Sequence, residues 1–222
     1  MGFAVKEDGN WRSFRHRNYR ILFPANAVSN IGSWAQRIAQ DWLVLELTNN
    51  NGTYLGLVTA VQFAPVLFFS LHGGKLADRF NKRKVLILTN ILGGSASLGL
   101  GALVITEHIA LWHVFVLAGI LGISTAIDAP VRQAFTTEVV GQTDLPNAVS
   151  LNSANFNAGR LVGPALSGGL IAAFGTGPSF IINGLSYFFV IAALANLNEK
   201  AFFHLDRPKS DGSIREGIAY AK

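Results

Sequence analysis

Residues 22–47 read LFPANAVSNIGSWAQRIAQDWLVLEL. The stretch exceeds the about 20 residues that cross a hydrocarbon core as helix. At about 100° per residue, Asn26, Ser29, Asn30, Ser33, Gln36, Arg37, Gln40 and Asp41 fall within one arc of about 140°. Val28, Ile31, Trp34, Ala35, Ile38, Ala39, Trp42 and Leu43 fill the rest. Lipid cannot hydrogen-bond such a stripe, so it must face protein or water. An ionisable group at the bilayer centre costs on the order of 3 kcal/mol. Arg37 and Asp41 stand four apart, where helical side chains can meet and reduce that cost. The stripe suits a central aqueous cavity, with Asp41 or Glu46 exchanging protons, or a packing seam with polar side chains as interhelical glue. Eight polar positions exceed what glue needs, which favours the cavity. Asn26, Asn30, Ser33, Arg37, Gln40 and Asp41 are then candidates for the substrate pathway. For Asp41 a locked pair with Arg37 stays as open as proton exchange, and Glu46, near the span's end, also fits plain solvation.

Five further segments are long and apolar enough to span: Thr53–Leu76, Val85–Ile105, Leu111–Ile127, Asn147–Phe174 and Pro178–Leu197. Turns are expected at 49–52, around Glu107-His108 and at 175–177. Composition agrees: 50% of residues are hydrophobic and 14% charged, against about a quarter charged in a soluble domain. Sixteen of the eighteen Lys and Arg residues lie in the N-terminal tail, the loops after spans two and four, and the C-terminal tail. The positive-inside rule therefore puts both termini in the cytoplasm. The net charge of +5 sits where anionic headgroups are, so it points to lipid and not to nucleic acid. With no cysteine there is no disulfide or thiolate site, and the histidines are too scattered for a metal. The first apolar stretch is too long for a signal-peptide core.

The loop after span two reads Gly74-Lys75-Leu76-Ala77-Asp78-Arg79-Phe80-Asn81-Lys82-Arg83-Lys84. Taken by itself it fits a plain positive-inside loop, with Asn81 able to take a left-handed turn conformation. Its spacing resembles the signature G-x-L-A-D-R-x-G-R-K of the major facilitator superfamily, with Asn81 in place of the second glycine. The resemblance implies a cytoplasmic gate in which Gly74, Asp78, Arg79, Lys82 and Arg83 close one side of the pathway. It also implies that the base at Lys82 pairs with an acid on span four, where Asp128 is the candidate. Asp128 and Arg132 flank Pro130, and the run from Ala126 to Phe135 resembles the span-four exit of the drug- and siderophore-export branch. Without the resemblance the two would be an interfacial ion pair of little worth.

Gly159-Arg160-Leu161-Val162-Gly163-Pro164 sets two small residues four apart, which lets another helix approach closely, and Pro164 can bend the helix. Continued through Ser167-Gly168, the run resembles the superfamily's antiporter signature G-x-x-x-G-P-x-x-G-G. That implies a kinked hinge built on Gly159, Gly163, Pro164 and Gly168, in exporters rather than importers. Arg160 suits a substrate anion, an acid on span one, or the headgroups equally. Asn152, Asn155 and Asn157 lie on the cytoplasmic third of span five, where they suit its entrance, and Asn155 is a pathway candidate. The arginine that proton–drug exporters often carry in span four is missing between Leu111 and Ile127, which bears on coupling.

The resemblance covers about residues 14–197 and implies an all-α fold, the six-helix N-terminal half of such a transporter, built from inverted 3+3 repeats. The expected organisation is a cytoplasmic tail at 1–21, the six-span half at 22–197, and the start of a central linker at 198–222, with a short helix at 214–220. The expected function is proton-coupled, antiporter-type efflux of drugs, siderophores or similar amphipathic molecules from a bacterial inner membrane, by alternating access. Expected partners are the small-molecule substrate, protons, membrane lipids and a C-terminal six-helix half missing from this sequence; no cofactor is implied. A lipid or lysolipid flippase and a non-transporting membrane scaffold are the alternatives. No nucleophile–base or metal constellation points to an enzyme.

Overall fold

The computed structural model describes residues 9–203, and the side chains of all of these but 70–79. The described residues form helices and turns without strands. A 3₁₀ turn at Arg12–Arg15 precedes α1 (Arg17–Leu47), α2 (Gly52–Arg79), α3 (Lys82–Ile105), α4 (Leu111–Phe174) and α5 (Gly177–Ala195), and a second 3₁₀ turn covers Glu199–Ala201. Four helices are long and apolar enough to cross a membrane by length and composition: α2, α3, α4 and α5. α1 has ample length, about 46 Å, but carries the polar stripe.

The chain reverses where backbone chemistry allows. Asn49 and Asn50 take positive φ after α1, and Asn51 then caps Thr53 N at 2.9 Å. Glu107 (φ 59°) ends the α3 turn and Gly175 (φ 77°) ends α4. Asn81 departs from expectation: its backbone is extended (φ −63°, ψ 110°), and its side chain accepts the Lys84 amide. An Asn at a helix start satisfies an orphan N–H, so it serves as the N-cap of α3 and not as a left-handed turn.

The 64 residues of α4 are two helices run together. Gly141, at φ 74° and ψ 170°, breaks the ladder between them. The loop expected after Ile127 is helix up to that break, because Val131, Phe135 and Val139 recur on one face and are buried. The linker helix expected at 214–220 lies outside the described residues.

α1 packs on α4 and α5, α3 on α4 and α5, and α2 on α4. The interior is layered. One apolar cluster, around Tyr19, Leu22, Leu86, Phe135, Val190 and Leu194, fills the basic end, where α1 and α3 begin. A second, around Leu43, Val44, Val58, Leu100, Val114 and Phe180, fills the other. Between them lies a polar slab: Gln36, Gln40, Thr89, Asn90, Ser97, Ser124 and Asn183 are all buried. The outer surface is apolar, with Leu161, Phe188 and Phe189 all more than half exposed, as expected of helices solvated by lipid.

Candidate functional site

The polar slab opens into a cavity of about 540 Å³ walled by all five helices. Seven of the eight stripe residues of α1 line it: Asn26, Ser29, Asn30, Ser33, Gln36, Arg37 and Gln40. The eighth, Asp41, does not. Some stripe residues that line the void also bond to α5: Asn183 Nδ2 donates to Gln36 Oε1 at 2.6 Å and Ser33 Oγ donates to Asn183 Oδ1 at 3.4 Å. Others tie to different neighbours while facing the void: Gln40 Nε2 donates to Gln62 Oε1 at 3.0 Å, and Asn30 Nδ2 to the Asn155 carbonyl at 2.7 Å. The stripe thus bonds to neighbouring helices and lines the cavity with the same residues. Asn152 and Asn155 stand on the wall, whereas Asn157 turns back to the Ser153 carbonyl.

Asp128 and Arg132, expected at the gate, also stand on the cavity wall. Arg132 grips the carboxylate with two bonds, Nε to Oδ1 at 2.6 Å and Nη2 to Oδ2 at 2.9 Å, and its Nη1 donates to Asn26 Oδ1 at 2.7 Å. Thr89 Oγ1 (2.8 Å) and Asn90 Nδ2 (3.2 Å) complete the shell of Oδ2. A bidentate guanidinium–carboxylate pair is geometrically specific, and this one joins α1, α3 and α4. Lys82, for which the resemblance implied Asp128, instead meets Glu138 at 2.7 Å. Arg83 pairs with Glu199 and donates to the Ala195 carbonyl at 2.7 Å. Glu138 went unnoticed because it sits on the helical extension that was read as loop. The side chains of Gly74, Asp78 and Arg79 lie outside the described residues.

The Arg37–Asp41 pair does not form. Arg37 instead lies between aromatic faces, its Cζ 4.8 Å from the Trp34 ring and 5.0 Å from that of Phe63. Guanidinium is weakly hydrated and stacks well on rings, so the aromatic slot competes with the carboxylate one turn away. Arg160 is exposed, with its Cζ 5.9 Å from the other neighbour of this group, Trp34. Glu46 is exposed and accepts from Trp42 Nε1.

The second half of α4 lies against α1 where glycine permits it. A Cβ on Gly159 would fall 2.3 Å from Asn30 Nδ2, and one on Gly163 would fall 2.5 Å from Trp34 Cβ and 2.8 Å from the Ile31 carbonyl oxygen. Pro164 follows inside the helix. Gly168, expected in the same seam, has nothing within 4 Å, because it lies on the face of α4 turned away from α1.

The sequence reading missed a clasp at the basic end. The Asp144 carboxylate is buried just past the Gly141 break and faces the N-terminal segment. Arg15 Nε lies 2.8 Å and His16 Nε2 2.6 Å from its Oδ2, with Arg12 Nε 3.5 Å from Oδ1. Ser13 is buried against it, with Oγ 2.7 Å from Asn147 Oδ1. Burial by itself would raise the carboxyl's pKa. The His16 hydrogen bond and the Arg15 charge outweigh it and hold the pKa below the ordinary value. The available signal was an acid two residues before Pro146, together with a tail that carries Arg12 and Arg15.

Comparison with known proteins adds the family. The sequence model of the transmembrane secretion effector family matches residues 8–222. The chain is 27% identical over 185 residues to the staphyloferrin A transporter of Staphylococcus aureus, covering 82% of this chain and 46% of that protein. It is 26% identical over 206 residues to the MFS-type transporter YfiS of Bacillus subtilis, covering 90% and 48%. To the multidrug efflux pump Tap of Mycobacterium tuberculosis it is 26% identical over 212 residues, covering 91% and 50%. The chain spans about half the length of these relatives.

Proposed function

We propose, from the premise that this chain belongs to the transmembrane secretion effector family of major facilitator transporters, that it is the N-terminal six-span half of a proton-coupled exporter of drugs, siderophores or similar amphipathic small molecules. The family and its relatives are membrane transporters and not enzymes. In this reading the spans are α1, α2, α3, the two parts of α4 and α5, arranged as two inverted three-span repeats. Residues 1–21 form a tail, 22–197 the transport half and 198–222 the start of a linker to a second half. Both termini face the cytoplasm of a bacterial inner membrane. Alternating access is a rocking of this half against its partner, and the Gly159–Gly163–Pro164 seam is a close-packed hinge between spans within this half. Residues Gly74 to Arg83 gate the basic end. Asp41, which makes no hydrogen bond or ion pair among the described residues, is the free carboxylate for proton exchange.

The observation that carries this reading is the polar cavity itself, enclosed by helices whose outer faces are apolar. Polar side chains gathered between helices with apolar outer faces are costly in a membrane and usually mark a substrate path. The chain has no cysteine, so single-cysteine probes are unambiguous. Asn30→Cys and Ser33→Cys in membrane vesicles should react with a water-soluble, membrane-impermeant maleimide. Resistance of both, with and without substrate, would mean a dry seam and no transport path.

A further inference from the structure

The cavity wall is charged unevenly. Asp128 is saturated: its two oxygens accept four hydrogen bonds, two of them from Arg132. That pair is neutral as a unit, and no carboxylate on the wall is left for a cationic ligand. Arg37 differs. Its Cζ lies over the rings of Trp34 and Phe63, and among the described residues its N–H groups donate to nothing. Asp41 attracts it from one turn along the helix but is off the wall and beyond ion-pair distance. A guanidinium held over aromatic rings keeps its planar fork of donors, the geometry that fits a carboxylate. Leaving those donors unmet in a half-buried site is costly, and a ligand anion would satisfy them.

The rings add a second requirement. Trp34 also meets Phe156 edge-on at 5.5 Å, and Phe156 and Phe63 both line the void. Beside these rings the wall carries uncharged amides and hydroxyls, among them Ser33, Gln40, Gln62 and Asn155. Resting on the transport reading, we propose that this half selects anionic substrates, with a substrate carboxylate on the in-plane donors of Arg37 and a flat apolar portion against Trp34, Phe63 and Phe156. Lipophilic cations are disfavoured because the Arg37 charge occupies the aromatic corner and repels them.

The test uses the purified 222-residue chain in vesicles of zwitterionic phosphatidylcholine, so that surface charge does not bias binding. Three probes share one ring system: 1-naphthoate, its neutral amide 1-naphthamide, and the cation 1-naphthylmethylammonium. Binding is measured by equilibrium dialysis. The carboxylate should bind roughly ten- to hundredfold tighter than the amide, the scale of a charge-assisted hydrogen-bond pair. Arg37→Gln should erase that preference and leave amide binding in place, which also reports that the variant is folded. Arg37→Lys should restore part of it. Equal binding of all three probes, preference for the cation, a carboxylate preference that survives Arg37→Gln, or no carboxylate binding at about 1 mM would each overturn the assignment. Labelling of Ser33→Cys in the same vesicles separates the two levels. If it reacts while the charge preference fails, the cavity reading stands and only the anion inference falls; if it resists, the cavity reading fails as well.

Discussion

Replacing Asp144 by Asn should release the N-terminal segment from the half it is clasped to. The substitution keeps the shape and removes the charge. The carboxylate is only 1% exposed, and two partners, Arg15 and His16, sit at hydrogen-bond distance on Oδ2. A hydrogen bond to a charged group contributes about 1.5–3 kcal/mol. Arg15 is 41% exposed, so solvent screening takes its share toward the low values of surface pairs, and the Asn oxygen still accepts one bond. The net loss is about 2 kcal/mol, or roughly a thirtyfold rise in the undocked population. Arg12, Arg15 and Arg17 are built-in trypsin sites, so the rate of cleavage there in the detergent-solubilised chain reports that population when undocking is fast. The sign with pH follows from the depressed carboxyl. Its contribution is complete above the ordinary carboxylate value, about 3.9, and fades as pH falls through the lower folded value. Cleavage of the wild-type chain should therefore gain nothing from this group between pH 8 and about 5. Cleavage of Asp144→Asn within about twofold of wild type would show that Ser13 and Asn147 hold the segment without the charges.

Gly163→Ala and Gly168→Ala form a matched pair of opposite expectation. The first puts a methyl 2.8 Å from the Ile31 carbonyl oxygen and 2.9 Å from the Ala35 amide nitrogen, backbone that cannot swing away. It should lower stability by about 1–3 kcal/mol, seen as a lower thermal midpoint in detergent, while the second meets open space and should leave the midpoint unchanged. Arg132→Ala strands Asp128 on the wall. Because the pair is 30% and 19% exposed, the loss should fall below the about 3–5 kcal/mol of a fully buried pair, near 2 kcal/mol. Asp128→Asn in the same chain should recover part of it in the same unfolding measurement.

The reversals at 49–52 and 175 were legible because Asn and Gly are the residues that tolerate positive φ, the one at Glu107 because it interrupts two apolar runs, and the α1 stripe because eight polar side chains keep one helical phase. The stretch from Asp128 to Pro146 was not. Its charged residues, Asp128, Arg132, Glu138 and Asp144, lower its hydropathy below that of a span, so it read as loop. Yet Val131, Phe135 and Val139 repeat every four residues, the mark of a helix with one buried face. With that helix missed, the partners it carries were missed too, and Lys82 was assigned an acid on the wrong turn. Arg37 and Asp41 had the spacing to pair, but spacing along one helix says nothing of Phe63, which α2 brings to the same place.

The layered interior also explains why the Asp128–Arg132 pair belongs to the chamber wall. Apolar clusters at both ends hold α1, α3, α4 and α5 as a unit, and a polar slab between them would be unstable if its groups were left unmet. Asn26, Thr89, Asn90, Asp128 and Arg132 meet one another's needs across three helices, so this part of the wall is stiff and neutral. Arg37, Trp34 and Phe63 do not close a hydrogen-bonded network of that kind. Rearrangement on ligand entry is therefore expected at the aromatic slot of α1 and α2, with the α1–α3–α4 network as the fixed frame.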